Sequence, residues 1–344
     1  MNPMKIFFLD AGRKFFSVDS VRRLMDAAAE AGLNAVVLYF SDNQGFRFRL
    51  KDMALHTDFG DYALSDVPGD GYCQDGKAPD GSGRFWEEAD MEALLQYGAN
   101  LGLEVIPALN MPGHLGAILS HFPNLRYPGS LSSINLCDPE AVAFAFALLE
   151  KYALWFSQHG CRFFCFGADE FANDLGEMGF DVIYQNGEMH AFISFVNRAA
   201  EILTSHGLTP MCFNDGIYYH DDLTTYGHID DRLWVLYWIA GWNGYYPASP
   251  LTLSQAGFHL INACHAFYCG AGCPDWSERV EKMASFDYRI FDREIPVPDA
   301  AGGMLCCWCD RADFYGPDDG AELARQLPAV IHAFGKPINT HDRP

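Results

Sequence analysis

The sequence predicts an α/β protein, a (β/α)8 TIM barrel forming a single domain over residues 1–344, and three observations predict it. Short apolar runs alternate with amphipathic segments almost from the first residue. The length of 344 residues suits one barrel of about 250 residues plus insertions. Polar or aromatic residues recur where the apolar runs end.

Taken in order, the strand candidates are residues 5–11, 34–40, 104–110, 162–167, 210–214, 233–239, 259–264 and 303–308. Most are near-continuous apolar runs, as expected for parallel strands covered on both faces. Helical patterns fill 19–31, behind Ser17 and before the stop signal Gly32, and 139–156, with Asp138 as N-cap and Pro139 at the first position. Two more span 190–206, ending before Gly207, and 321–333. A doubly wound open sheet gives similar alternation and stays open as an alternative. Residues 51–85, rich in Gly, Asp and Pro without a clear period, read as a long loop insertion after the second strand. That is the face where barrel loops build active sites. A second irregular stretch covers 287–301, and neither an internal repeat nor a dividing linker is visible.

With 49% hydrophobic residues the chain can bury a large core, which excludes disorder. Its 23 basic and 45 acidic residues leave a net charge of −22. Such a field repels nucleic acid and anionic membrane surfaces, so neither is expected as a partner. A small neutral substrate fits better. The eleven cysteines sit mostly in apolar runs and read as buried free thiols. Cys306-Cys307-Trp308-Cys309 has no second C-x-x-C to pair with the spacing of Cys306 and Cys309, so no metal is expected, and no cofactor either. The apolar stretch Ile6 to Leu9 is broken by Asp10, Arg13 and Lys14, too short for a signal core, and no run reaches the roughly 20 residues of a membrane span. The thiols favour a reducing compartment, so a cytoplasmic location is expected, with a fragment of a longer secreted precursor as the alternative.

A barrel builds its active site where strands end at their C-terminal edge. The residues there are Asp10 and Arg13, Asp42, Asn110 and His114, Asp169 and Glu170, Asn214 and Asp215, Trp238, Tyr268, then Trp308 and Asp310. One such residue is ordinarily a cap or turn former; their recurrence points to a site. Carboxylates with tryptophans suggest a sugar, whose C–H faces stack on aromatic rings while its hydroxyls need fixed polar partners. Trp238, Trp242 and Trp308, with Tyr245 and Tyr246 nearby, are candidates for that wall, the other reading being barrel core. Adjacent Asp169 and Glu170 follow a buried strand, where repulsion and burial raise the pKa of at least one. This suits a general acid; an acidic first helical turn gives the same dipeptide.

The segments Leu9-Asp10-Ala-Gly-Arg13, Ser41-Asp42-Asn43-Gln44-Gly45-Phe46-Arg47, Asn110-Met-Pro-Gly113-His114 and Phe166-Gly167-Ala-Asp169-Glu170 resemble glycoside hydrolase family 20, in that family's order and across nearly the whole chain. Residues 213–219 and 237–242 resemble the branch that includes the catalytic domains of streptococcal surface exo-β-N-acetylglucosaminidases. The resemblance implies a retaining β-N-acetylhexosaminidase, acting on terminal β-linked GlcNAc with GalNAc open. Its mechanism is substrate-assisted and passes through an oxazolinium intermediate. It implies Glu170 as acid and base, Asp169 as partner of the acetamide N–H, and Tyr268 as donor to the acetamido oxygen. Arg13 and Asp310 would grip outer hydroxyls. His114 would sit beside the acid pair. Asn214, Trp238, Trp242 and Trp308 complete the expected substrate-binding set, with Asp42 and Asn110 in support. Asp310 stands where Glu is frequent, and Cys269-Gly270 where many relatives place Leu-Asp.

Other readings remain at this stage. Asp10, His114, Asp169 and Glu170 together suit a divalent cation in a metal-dependent enzyme. A non-catalytic sugar-binding barrel, a disaccharide-releasing relative and a 6-sulfo-GlcNAc-specific relative share the same pattern.

Overall fold

Eight parallel strands close on themselves. They are β1 (Met4–Asp10), β2 (Ala35–Asp42), β3 (Glu104–Met111), β4 (Phe163–Gly167), β5 (Thr209–Phe213), β6 (Trp234–Tyr237), β7 (His259–Asn262) and β8 (Gly302–Trp308). Each pairs with its neighbours in sequence, and β1 pairs with both β2 and β8, which closes the barrel. The open-sheet alternative is thereby excluded. The computed structural model describes residues 2–73, 76–175, 179–241, 246–264, 267–273 and 275–336.

Period-two alternation divides the core in two. Ile6, Phe8, Val37, Ile106, Ala108, Met211, Phe213, Leu236 and Met304 fill the barrel interior. Their neighbours Phe7, Leu9, Val36, Leu38 and Cys212 face outward, in one apolar cluster with the residues of the surrounding helices. Burial on both faces is why these strands read as unbroken apolar runs.

The helices form the outer layer: α1 (Val18–Glu30), α2 (Glu88–Asn100), α3 (Pro139–Gln158), α4 (Met189–Ser205), α5 (Pro250–Gln255), α6 (Trp276–Ala284) and α7 (Ala321–Gly335). The Ser17 hydroxyl accepts from Ser20 N, and the Asp138 carboxylate caps α3 by accepting from Glu140 N at 3.0 Å. Helices α2, α5 and α6 were not among the sequence expectations. α2 opens with a capping box between Glu87 and Asp90, in which Glu87 stands where Ser or Thr is the recognisable signal. Between β5 and β6 the chain makes only a three-residue 3-10 turn, Tyr219–Asp221, in place of an α-helix.

The insertion after β2 has more structure than its composition suggests. Gly45–Phe46 turns back on β2 and pairs with Gly69–Asp70, and Ala54–Thr57 forms a hairpin with Gly60–Ala63. Fully buried Arg47 ties it down: its guanidinium meets Asp70 at 2.7 Å and Asp80 at 3.3 Å and donates to the Gly12 and Arg84 carbonyls at 3.1 and 2.9 Å. Asp80 also accepts from Phe15 N at 2.7 Å. The insertion is thereby pinned to the exit of β1.

Candidate active site

Six of the eight strands carry their inward alternation one step beyond the apolar layers to a polar or aromatic residue. Asp10 follows Phe8, Tyr39 follows Val37, Asn110 follows Ala108, Asp215 follows Phe213, Trp238 follows Leu236 and Trp308 follows Cys306, two residues further on in every case. The floor of the site is therefore the polar top layer of the barrel. Trp308 closes the apolar part, with its ring 4.5 Å from Phe8 and 5.7 Å from Tyr39.

Above this floor lies a cavity of about 220 Å³, lined by Arg13, Lys77, Asp169, Glu170, Trp238, Tyr268, Trp308 and Asp310. Pockets for drug-sized ligands run from roughly 300 to 1,000 Å³, so this one is sized for a single ring.

A relay of polar contacts joins the first four strands. Arg13 meets Asp10 at 2.8 Å and Asp42 at 3.1 Å, and its guanidinium lies 5.4 Å from the Trp308 ring centre. The Tyr39 hydroxyl donates to Asp42 Oδ2 at 2.7 Å, and Asn110 Nδ2 donates to the Tyr39 oxygen at 2.9 Å and to Asp169 Oδ1 at 2.7 Å. His114 spans the same gap by another route. Its Nδ1 is 3.3 Å from Asp42 Oδ2, and its Nε2 is 3.2 Å from Glu170 Oε2 and 3.7 Å from Asp169 Oδ2.

These contacts separate the two acids. Burial raises the Asp169 carboxyl, and the adjacent Glu170 charge adds to this against the pull of His114. Burial also pushes Glu170 upward, but the His114 hydrogen bond and charge, aided by Arg13, bring it below the ordinary glutamate range. His114 itself is held well above the usual histidine value. Burial alone would lower it; Asp42 and Asp169, with hydrogen bonds to Asp42 and Glu170, outweigh that. These surroundings favour the imidazolium form of His114, wedged among carboxylates.

Asp215 supports the pair from β5. Fully buried, it accepts the backbone N–H of Glu170 at 3.0 Å through Oδ2 and the indole N–H of Trp238 through Oδ1. Burial, then the charges of Asp169 and Glu170, raises its carboxyl well above the ordinary range.

The exit of β4 is bent to present the acids. Gly167, Ala168 and Glu170 all have positive φ, at +76°, +64° and +46°. At Gly167 a methyl group would lie 1.9 Å from Asn110 Oδ1, so glycine lets Asn110 approach the strand end and reach Asp169.

Comparison with known proteins bears on this geometry. The profile of the glycosyl hydrolase family 20 catalytic domain matches residues 5–272. The chain belongs to that family. Among solved structures, a family 20 module of the pneumococcal exo-β-D-N-acetylglucosaminidase StrH superposes with a TM-score of 0.84 and 27% identity, covering 97% of this chain and 83% of that one. This agrees with the branch read from residues 213–219 and 237–242. Dispersin B, at 18% identity and a TM-score of 0.74, covering 97% of this chain and 98% of that one, shares the fold. Sequence relatives include lacto-N-biosidase of Bifidobacterium bifidum, 22% identical over 64% of this chain, and a β-hexosaminidase of Akkermansia muciniphila, 24% identical over 65%. The matches span only 19% and 47% of those two proteins.

Within this family 20 barrel, Arg13, Asp169, Glu170, Trp238, Tyr268, Trp308 and Asp310 gather on one cavity, with His114 against the acid pair. Asn214 lies elsewhere. It has the outward parity of Cys212, is fully buried, and uses its amide on the Ile239 carbonyl at 2.8 Å and the Trp238 N–H at 2.9 Å. It fastens β5 to the β6 exit, and its neighbour Asp215 faces the acids instead. Tyr246 is exposed and stacks on His220, away from the cavity lining. Trp242 and Tyr245 lie outside the described residues.

Sequence reasoning missed Lys77, which reaches the cavity from the aperiodic insertion, and the Tyr39 hydroxyl, hidden inside an apolar strand. Strand parity alone would have found Tyr39 and preferred Asp215 to Asn214. The metal reading loses one of its four groups, because Asp10 Oδ2 is engaged by Arg13 at 2.8 Å and by Cys309 N at 2.9 Å.

Proposed function

We propose that this family 20 barrel is an exo-acting, retaining β-N-acetylhexosaminidase that releases terminal β-linked N-acetylglucosamine. The observation that carries this reading is the convergence of Asp169, Glu170, Tyr268 and Arg13 on one cavity of about 220 Å³ walled by Trp238 and Trp308. The relatives named β-hexosaminidase agree with it, the lacto-N-biosidase match does not, and the space suits one amino sugar better than a disaccharide.

In this mechanism the acetamido oxygen of the substrate attacks its own anomeric carbon as the bond to the leaving oxygen breaks. Glu170 gives its proton to that oxygen. Asp169 accepts a hydrogen bond from the acetamide N–H and balances the positive charge that develops there, while Tyr268 donates to the acetamido oxygen and holds it in line. Water then opens the oxazolinium ring, returns the configuration to β, and leaves its proton on Glu170. An internal nucleophile needs no enzyme nucleophile, only a pocket that fixes its orientation.

The resting charge pattern runs opposite to the proposed roles, with Asp169 raised and Glu170 lowered, so Glu170 has to gain proton affinity when the sugar binds. In the free protein Glu170 lies below its ordinary range, and its side chain is 30% exposed. A sugar ring seated over it strips away water, and this desolvation raises the carboxyl toward the value a general acid needs. The eleven free thiols support a reducing, cytoplasmic setting.

Hydrolysis of an aryl β-N-acetylglucosaminide, measured beside the matching β-glucoside without the acetamide, tests the reading. Turnover of the first alone is expected. Equal turnover of both, or of neither, overturns it.

A further inference from the structure

Lys77 enters the cavity from the insertion after β2 rather than from a strand end, and no step of the proposed hydrolysis uses it. Its ammonium lies 3.9 Å from Asp310 Oδ1, and Arg13 Nε lies 4.0 Å from the same oxygen. Both distances exceed a hydrogen bond. The other ends of Arg13 are already committed to Asp10 and Asp42. Asp310 therefore presents an acceptor between two cations and bonds fully to neither. A hydroxyl oxygen placed roughly 2.8 Å from both Lys77 Nζ and Asp310 Oδ1 fits that gap, receiving from one and donating to the other.

Lys77 is placed for this by its backbone. The buried Gln44 side chain donates to the carbonyls of Lys77 and Ala78 at 2.8 and 3.1 Å. Three residues on, Asp80 is fixed by Phe15 N and Arg47. The Lys77 side chain leaving this anchored segment is 46% exposed, opposite an Asp310 side chain that is 45% exposed. Both charges thus remain hydrated until a ligand arrives.

We propose that Lys77 is a specificity-determining residue, whose ammonium and the Asp310 carboxylate together read one hydroxyl on the C3–C4–C6 edge of the terminal sugar. This rests on the hydrolase reading, which orients the ring: the acetamido arm lies toward Asp169, Tyr268 and Trp238, so the far edge meets Arg13, Asp310 and Lys77. A site that supplies both a donor and an acceptor to one hydroxyl penalises its removal or inversion more than a single contact does, because a polar group is left without its partner.

The test compares the wild-type protein with Lys77→Met, which keeps the stem and removes the charge. Binding of N-acetylglucosamine, its 3-, 4- and 6-deoxy analogues and its galacto epimer is measured by calorimetry, beside turnover of the matching 4-nitrophenyl β-glycosides. In the wild type, one deoxy analogue is expected to bind about tenfold more weakly than the parent sugar. In Lys77→Met the parent should bind about tenfold more weakly, with KM affected more than kcat, and the penalty for that deoxy analogue should shrink to about threefold or less. An unchanged penalty for every analogue overturns the proposal, as does tighter wild-type binding of a 6-sulfated sugar than of the parent. Binding without turnover sinks the hydrolase reading and leaves the Lys77 comparison decisive. Absence of binding sinks both.

Discussion

The buried carboxylate of Asp215 holds the backbone N–H of Glu170 at 3.0 Å and, through its other oxygen, the indole N–H of Trp238. One side chain thus sets the spacing between the proposed acid and the Trp238 wall of the cavity. Asp215→Asn keeps the volume but offers one acceptor oxygen, so one of the two N–H groups loses its partner. We expect kcat/KM to fall on the order of 10²-fold, the scale of an ångström-sized misplacement, with the circular dichroism spectrum unchanged. Wild-type kinetics in this variant would remove Asp215 from the positioning of either group.

Glu170→Gln removes the transferable proton. Hydrolysis of substrates with poor leaving groups should drop by about 10²–10⁴-fold, while aryl glycosides whose leaving group needs no proton should be affected much less. Equal impairment of both substrate classes would mean that Glu170 acts in some other way.

Asp169→Asn leaves the fold intact and takes away the charge facing the acetamide. Its kcat on N-acetyl substrates should fall at least about tenfold while the protein still binds the sugar, since the charge acts on a transition state rather than on the resting ligand. Loss of binding with unchanged kcat would contradict this.

Gly167→Ala places a methyl group where Asn110 Oδ1 now lies, at a backbone position with φ of +76°. Asn110 must move, and its 2.7 Å contact with Asp169 goes with it. We expect stability to fall by roughly 1–3 kcal/mol in a urea titration, together with activity. A variant as stable and active as wild type would show that the bend tolerates a side chain.

The pH dependence follows from opposite shifts. His114 is raised in the folded state, so the stability it confers is complete below its unfolded value near 6.5 and is lost as pH climbs through the higher folded value. Asp42 is lowered: burial opposes this, and Arg13 and His114 outweigh it. Its contribution is present above its unfolded value near 3.8 and fades as pH drops through the folded one. The Tm difference between wild type and His114→Gln should therefore be large at pH 6 and narrow toward alkaline pH. A difference that widens on the alkaline side would contradict the imidazolium assignment.

Much of this is legible in the sequence alone. Strands such as 104–110 and 303–308 announce themselves because burial on both faces leaves no polar position between entry and exit, and that exit is the site. Helix α2 was hidden because a glutamate caps it in place of a serine or threonine. Lys77 was hidden for a different reason: its position depends on the Gln44 side chain holding a carbonyl far along the chain, a tertiary contact without a periodic signature. Asn214 has the look of a polar strand-end site residue, yet side chains one apart on a strand face opposite ways, and Asp215 holds the inward place.

Arg47 makes the loop after β2 inseparable from the barrel. Replacing the segment with a shorter relative's version would strip away the carboxylates of Asp70 and Asp80 and strand a cation beneath the first strand's exit. Engineering of substrate reach in this scaffold therefore cannot proceed by cassette exchange unless residue 47 changes in the same step.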